Sequence, residues 1–137
     1  MDKILLVDDE ENIIKSLKRV LRPYTEWDVE YYLSADEALK RARCCIFDVI
    51  ISDYKMPGMD GIDFLAEMKE LQPDAMRILL TGTNATETVI DAINVASAYK
   101  YITKPWDDKE LIDTIISALA IKKDLVEDKF LAQKLKQ

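Results

Sequence analysis

Ile4-Leu5-Leu6-Val7-Asp8-Asp9 is a run of four aliphatic residues that breaks directly into two carboxylates. The same figure, an apolar run ending in chemistry, recurs at Val49-Ile50-Ile51-Ser52-Asp53, Ile78-Leu79-Leu80-Thr81-Gly82 and Tyr101-Ile102-Thr103-Lys104-Pro105. Continuous aliphatic runs of this length suit strands covered on both faces, the pattern of a parallel sheet. If the four strands lie side by side, Asp8, Asp9, Asp53, Thr81 and Lys104 meet at their carboxyl ends. An acidic pair after a strand is common as a solvated turn; the order and placement of all four strings together point to a single pocket.

Working outward, residues 27–32 alternate Trp27, Val29 and Tyr31 with Asp28 and Glu30, which suits an edge strand. Between the strands the apolar period becomes helical: Ile13, Ile14, Leu17, Val20 and Leu21; Ala35, Ala38, Leu39 and Ala42; Ile62, Leu65, Met68 and Leu71; Val89, Ile90, Ile93 and Ala96; Leu111, Ile112, Ile115, Ile116 and Leu119. Ser34 with Glu37, Asn84 with Glu87 and Asp107 with Glu110 place a capping side chain three residues before a carboxylate, and Pro23 and Pro73 end the first and third helices. Five strands alternating with five helices predict a flavodoxin-like doubly wound α/β fold, a five-stranded parallel sheet in the order 2-1-3-4-5. In that order the first and third strands are neighbours with connections running opposite ways. Asp8, Asp9 and Asp53 fall in the crevice this leaves. Residues 1–120 form the expected domain, and 121–137 read as a helical extension of the last helix. Its mixed charge, with Leu125, Val126, Phe130, Leu131 and Leu135, fits either a solvated tail or a linker or coiled-coil seam toward another chain or module.

Composition narrows the chemistry. With 137 residues, 49% of them apolar, the chain is long enough for one domain with a real core. A net charge of −7 argues against broad attraction to nucleic acid or anionic lipid. The apolar runs fall well short of the roughly 20 residues that cross a bilayer, and Met1-Asp2-Lys3 does not open a signal peptide, so a cytoplasmic location without membrane contact is expected. The two cysteines, Cys44 and Cys45, are adjacent and read as reduced and structural. The chain has no histidine, so any phosphoryl group must come from another molecule.

Magnesium favours oxygen ligands and takes one or two carboxylates plus a phosphate oxygen. Asp9 and Asp53 can ligate it directly, Asp8 through water, and the backbone carbonyl of Lys55 can complete the shell. Without a cation, like charges about 4 Å apart near a protein surface repel by roughly 4 kcal/mol, so such a site gains from binding one. An ionised Asp53 is also a usable nucleophile toward phosphorus, with Lys104 and Thr81 as companions for the phosphoryl oxygens.

On these residues, from Lys3 to about Ala120, the chain resembles the receiver domain of two-component response regulators. The resemblance implies Asp53 as the phosphoacceptor, Asp8 and Asp9 as the metal-binding acidic pair, Thr81 as the hydroxyl that moves onto the phosphoryl group, and Lys104 as its cationic partner. It also implies a cis peptide before Pro105, a switch role for Tyr101, and positions at Lys55 and Thr83 that gate the hydrolytic water. Trp106, after Lys104-Pro105, resembles receivers attached to cyclic-dinucleotide phosphodiesterase or kinase modules, and reads equally as a packing residue. The implied partners are a sensor histidine kinase or phosphotransfer protein and an output domain or target protein, with a homodimer also admitted and no direct contact with nucleic acid. The domain would catalyse only its own aspartyl phosphorylation and dephosphorylation. The alternatives are a magnesium-dependent aspartyl-phosphate phosphohydrolase, disfavoured because Lys55 stands where such enzymes carry a second Asp, and a binding module of the same fold. A flavin binder would want a backbone-rich loop where Asp8-Asp9 stand, whereas a phosphorylation-independent receiver-like scaffold is compatible with every motif.

Overall fold

The computed structural model describes residues 1–82 and 86–135, with the backbone alone at 86–88. Strands β1 (Asp2–Val7), β2 (Trp27–Tyr32), β3 (Val49–Asp53), β4 (Met76–Thr81) and β5 (Lys100–Thr103) alternate with helices α1 (Glu11–Leu21), α2 (Ala35–Ala42), α3 (Gly61–Leu71), α4 (Thr86–Ala96) and α5 (Asp108–Leu135). The sheet is parallel throughout, in the order β2-β1-β3-β4-β5. One register line runs across it: Tyr31, Leu6, Ile51, Ile78 and Lys100 are successive partners. This is the fold that the strand and helix periods predict.

Alternation along each strand divides the core into two layers. Ile4, Leu6, Val49, Ile51, Ile78 and Leu80 face Leu17 of α1 and Leu111, Ile115 and Leu119 of α5. Leu5, Val7, Ile50 and Leu79 face Leu39 of α2, Phe64, Leu65 and Met68 of α3, and Ala92 and Ala96 of α4. Side chains buried on both sides of a central strand explain why those strands read as unbroken aliphatic runs.

The helix ends follow local chemistry. Ser34 Oγ accepts from the Glu37 amide at 3.1 Å, and Asp107 Oδ1 accepts from the Lys109 amide at 3.0 Å. α1 and α3 stop at Leu21 and Leu71, two residues before Pro23 and Pro73. The Asn84–Glu87 cap lies outside the described residues and side chains.

The helical period read for α4 holds but left its burial open, and the reading of the cysteines needs correction. The apolar period of α4 includes Ile90 and Ile93, but these are 48% and 56% exposed, and the buried positions are Ala92 and Ala96. Both cysteines are free, but Cys44 is exposed and so has no core role, whereas Cys45 packs against the α2–α3 layer. Beyond Leu119, α5 continues unbroken to Leu135 with Leu125, Val126, Phe130, Leu131 and Leu135 exposed. Lys122 pairs with Asp48 and Lys129 with Asp74, tying the extension to the loops that lead into β3 and β4. Among the described residues no helix is long and apolar enough to cross a membrane.

Candidate functional site

The carboxyl ends of β1, β3, β4 and β5 converge on one crevice. Asp8 follows β1 directly and is fully buried, Asp53 closes β3 and is also buried, and Asp9 stands further out. Each offers a carboxylate oxygen, and these oxygens lie within 4.8 Å of one another. Lys104, one residue past β5, reaches back so that Nζ lies 2.8 Å from Asp8 Oδ2 and 2.9 Å from Asp53 Oδ1. The peptide it shares with Pro105 is cis, as the resemblance implies. Thr81, at the end of β4, is buried, and a 290 Å³ cavity is lined by Asp53, Thr81, Gly82 and Lys104 together with Glu10, Tyr54 and Lys55.

The backbone completes the scaffold. The Glu10 amide donates to Asp8 Oδ1 at 2.9 Å, so the buried carboxylate is held on both oxygens. Behind Asp53, α3 begins at Gly61, whose amide donates to the Tyr54 carbonyl at 2.7 Å. A Cβ at Gly61 would lie 2.0 Å from the Asp53 carbonyl oxygen, so only glycine permits this approach. Asp60 caps the same helix, its Oδ1 accepting from the Asp63 amide at 2.8 Å. The turn residues after Asp53 thus set the start of α3 against the backbone of β3.

Electrostatically the pocket carries more negative charge than it neutralises. Burial pushes the Asp53 carboxyl above the ordinary carboxylate range; the Lys104 ammonium pulls it back, and the neighbouring Asp8 charge raises it further. Burial alone would lower the Lys104 pKa, but its bonds to Asp8 and Asp53 outweigh that and raise it. Two of the three carboxylates, Asp8 and Asp53, share the Lys104 ammonium, and Asp9 stands beside them. A divalent cation suits such a donor set: hard oxygen ligands and an uncompensated negative charge.

Of the residues singled out from sequence, Asp8, Asp9, Asp53, Thr81, Lys104 and Lys55 are brought together. Tyr101 is on β5, paired in register with Leu79, and is 42% exposed. Trp106 lies apart, in a larger cavity of 640 Å³ between α1 and the β5–α5 loop that Ile13, Val20 and Pro105 also line. Thr83 lies outside the described residues. The sequence argument missed Gly61 and the Glu10 amide. Gly61, placed between a capping Asp60 and an apolar helix start, carried a readable signal; a backbone donor leaves none.

The response regulator receiver domain family matches residues 4–116. The chain is 39% identical over 116 residues to the hydrogenase transcriptional regulatory protein HoxA of Cupriavidus necator, covering 85% of this chain and 24% of that protein. It is 35% identical over 117 residues to the transcriptional regulatory protein ZraR of Salmonella typhimurium, covering 85% of this chain and 26% of the relative. It therefore spans about a quarter of the length of these curated relatives. Among solved structures, the signal receiver domain of an HD domain-containing protein from Pseudomonas fluorescens Pf-5 superposes with a TM-score of 0.87 at 35% identity, covering 92% of each chain. A CheY-like receiver domain protein from Methanospirillum hungatei superposes with a TM-score of 0.84 at 30% identity, covering 90% of this chain and 98% of that one. The doubly wound fold and the family match together define a signalling domain. The chain belongs to the receiver domains of two-component response regulators.

Proposed function

We propose that Asp53 accepts a phosphoryl group from a sensor histidine kinase or phosphotransfer protein and that the resulting aspartyl phosphate switches the surface of α4, β5 and α5. The observation that carries this reading is the buried cluster in which Lys104 Nζ bridges Asp8 and Asp53 while Asp9 and Thr81 stand beside them. A carboxylate oxygen of Asp53 attacks phosphorus as the bond to the donor's imidazole nitrogen breaks; the electron pair stays on that nitrogen. Lys104, already 2.9 Å from Asp53 Oδ1, offsets charge on the transferring group, and the Thr81 hydroxyl donates to one of its oxygens. Asp9, Asp53 and the Lys55 carbonyl, with Asp8 through water, would hold a magnesium ion, which would supply further charge neutralisation.

Once drawn onto the phosphoryl oxygen, Thr81 vacates space that Tyr101, now exposed on β5, can occupy. The face that carries Ile90, Ile93, Tyr101 and Ile116 then changes shape, and a target or fused output module that prefers the new surface reads it. That same face admits a second copy of the chain. In this reading residues 1–120 are the receiver domain, 121–137 an extension that passes the change onward, and the protein works in the cytoplasm. Its only chemistry is phosphorylation and dephosphorylation of its own Asp53, with Lys55 at the mouth of the pocket tuning how long the phosphoryl group survives.

Incubation with acetyl phosphate and magnesium, followed by intact mass, tests this directly. One added phosphoryl group, lost in hydroxylamine and absent in Asp53→Asn, is the expected result. Uptake that persists in Asp53→Asn, or no uptake at all, refutes the assignment. Multiple-turnover hydrolysis of an unactivated phosphate monoester, which is not a phosphodonor of the acetyl phosphate kind, would favour the phosphohydrolase instead.

A further inference from the structure

β4 carries a cation inside an otherwise aliphatic run. Alternation places Arg77, Leu79 and Thr81 on the strand face covered by α3 and α4, with Arg77 near the start of the strand and Thr81 at its carboxyl end. Arg77 is only 8% exposed, yet among the described residues it pairs with no carboxylate. Its guanidinium donates instead to backbone carbonyls: Nε to Ala96 at 2.8 Å, Nη1 to Ala75 at 2.9 Å and Pro73 at 3.5 Å, and Nη2 to Ser97 at 3.5 Å.

These carbonyls identify the role. α4 ends at Ala96 and has no basic residue in its own last turn, so a neighbouring strand supplies the cation that its negative end favours. The chain leaves the helix through Ser97 at φ 49°, a left-handed conformation uncommon for serine, and the Ala98 amide donates to the Ala92 carbonyl at 3.1 Å. The Tyr99 amide then donates to the carbonyl of Arg77 itself at 2.7 Å. Residue 77 thus holds the exit from α4 by both its side chain and its backbone. Burial lowers the arginine's pKa, in keeping with a desolvated cation that has only carbonyl partners. The rest of the attachment is slight, since the buried side chains of 89–96 are the methyl groups of Ala92 and Ala96.

We infer that Arg77 is a positioning residue that fixes the carboxyl-terminal end of α4 to β4 and makes that end the pivot when the opposite end responds at Thr81. Arg77 and Thr81 share one strand face, so on this reading a pull that starts at Thr81 is resisted at Arg77 and the helix tilts rather than slides. The pivot rests on the phosphoacceptor reading above; the fixing of the helix end does not.

Hydrogen exchange on the full chain separates the two. Without phosphodonor, Arg77→Met should speed exchange across 92–99 by about tenfold or more while β1 and α3 stay within about twofold of wild type, and Arg77→Lys should recover part of the protection. Unchanged exchange at 92–99, or equal loosening of α3 and β1, overturns the fixing. Should Arg77→Met fail to fold, Arg77→Lys alone carries the same comparison. With acetyl phosphate and magnesium, intact mass first reports whether Asp53 is modified. If it is, wild-type exchange should change in the first half of α4 and hold at 92–99, and equal change at both ends overturns the pivot. If it is not, the phosphoacceptor reading and the pivot fail together, while the exchange without phosphodonor still decides what Arg77 holds.

Discussion

Helices α3 and α4 are each eleven residues long and pack against each other on the same face of the sheet. α3 buries Ile62, Phe64, Leu65 and Met68 and begins at a glycine pressed against the backbone of Asp53. Over 89–96, where its side chains are described, α4 buries Ala92 and Ala96 and turns Ile90, Ile93 and Val95 to solvent. Apolar burial contributes in proportion to area, so the first helix is bound to the sheet far more strongly than the second. A receiver needs that inequality: the acidic cluster must stay in place while the surface that reports on it moves. The low-stability element is the one suited to switching.

The most damaging way to probe this difference is to cut into the strong side. Phe64→Ala removes a fully buried ring and should cost about 3–5 kcal/mol, whereas Ala92→Gly on α4 should cost about 1 kcal/mol. Urea denaturation of the two variants measures both. Equal losses would mean that α4 is anchored as firmly as α3, and the proposed division of labour would collapse.

Gly61→Ala tests the same side at the site itself. The added methyl meets the Asp53 carbonyl oxygen at 2.0 Å, so either α3 or the end of β3 must shift. Overpacking of this kind costs about 1–3 kcal/mol. Because the displaced backbone carries Asp53, uptake of phosphate from acetyl phosphate should fall by more than the stability loss explains at temperatures where the variant is folded. Normal uptake in a fully folded Gly61→Ala protein would show that the close approach does not position the carboxylate.

The other firmly held region is the β1–β2–α2 edge, and its glue is electrostatic. Glu30 accepts from Arg41 Nε at 2.9 Å and Nη2 at 3.1 Å, from Tyr32 Oη at 2.7 Å and from Lys3 Nζ at 3.3 Å. The Arg41 guanidinium, with Tyr32 and Lys3 adding to it and burial opposing, holds the carboxyl down at about 2. A free glutamate titrates near about 4.3, so the unfolded chain binds this proton first as the solution is acidified. The stabilisation is therefore complete above about pH 5 and is lost as pH falls toward 2. Glu30→Gln should cost about 1–2 kcal/mol near neutral pH, with the gap from wild type closing in acid. A gap that stays constant with pH would place the contribution in packing rather than charge.

These contrasts mark what could be read from the residues. The sheet and its order were legible because central strands are covered on both faces and so carry the aliphatic runs Ile4–Val7, Val49–Ile51 and Ile78–Leu80, while β2 at the edge alternates. The acidic crevice was legible for a related reason: strand ends in this topology point to one place, so Asp8, Asp53, Thr81 and Lys104 needed no side-chain geometry to be grouped. The orientation of α4 was not. Val89, Ile90, Ile93 and Ala96 have a helical period, but period identifies a stripe without saying whether the sheet or something else covers it. Arg77 was the overlooked clue, a lone cation in the run Met76–Thr81 whose partners are carbonyls that no residue type announces. Gly61 could be read in part, from its place between Asp60 and an apolar helix start, although the clash that demands glycine lies with the Asp53 backbone.

The smallest expected effect tests the movable side of the comparison. Ile93 is 56% exposed, so Ile93→Ser removes little buried area and should change stability by no more than about 0.5 kcal/mol. A core isoleucine cut back to a short polar side chain would cost several times that. A loss of the larger size would mean that the apolar residues of α4 are covered within the domain after all, and that α4 is held by more than its alanines and the Arg77 clamp. A loss near zero leaves Ile90, Ile93, Tyr101 and Ile116 as apolar surface that the fold does not use. Phosphate uptake at Asp53 should be unaffected by the same substitution, because the carboxylates and Lys104 are held by β1, β3 and the β5–α5 loop. A variant that takes up phosphate normally yet no longer engages a partner selected by the phosphorylated wild type would separate receiving the signal from displaying it, and would assign the display to α4.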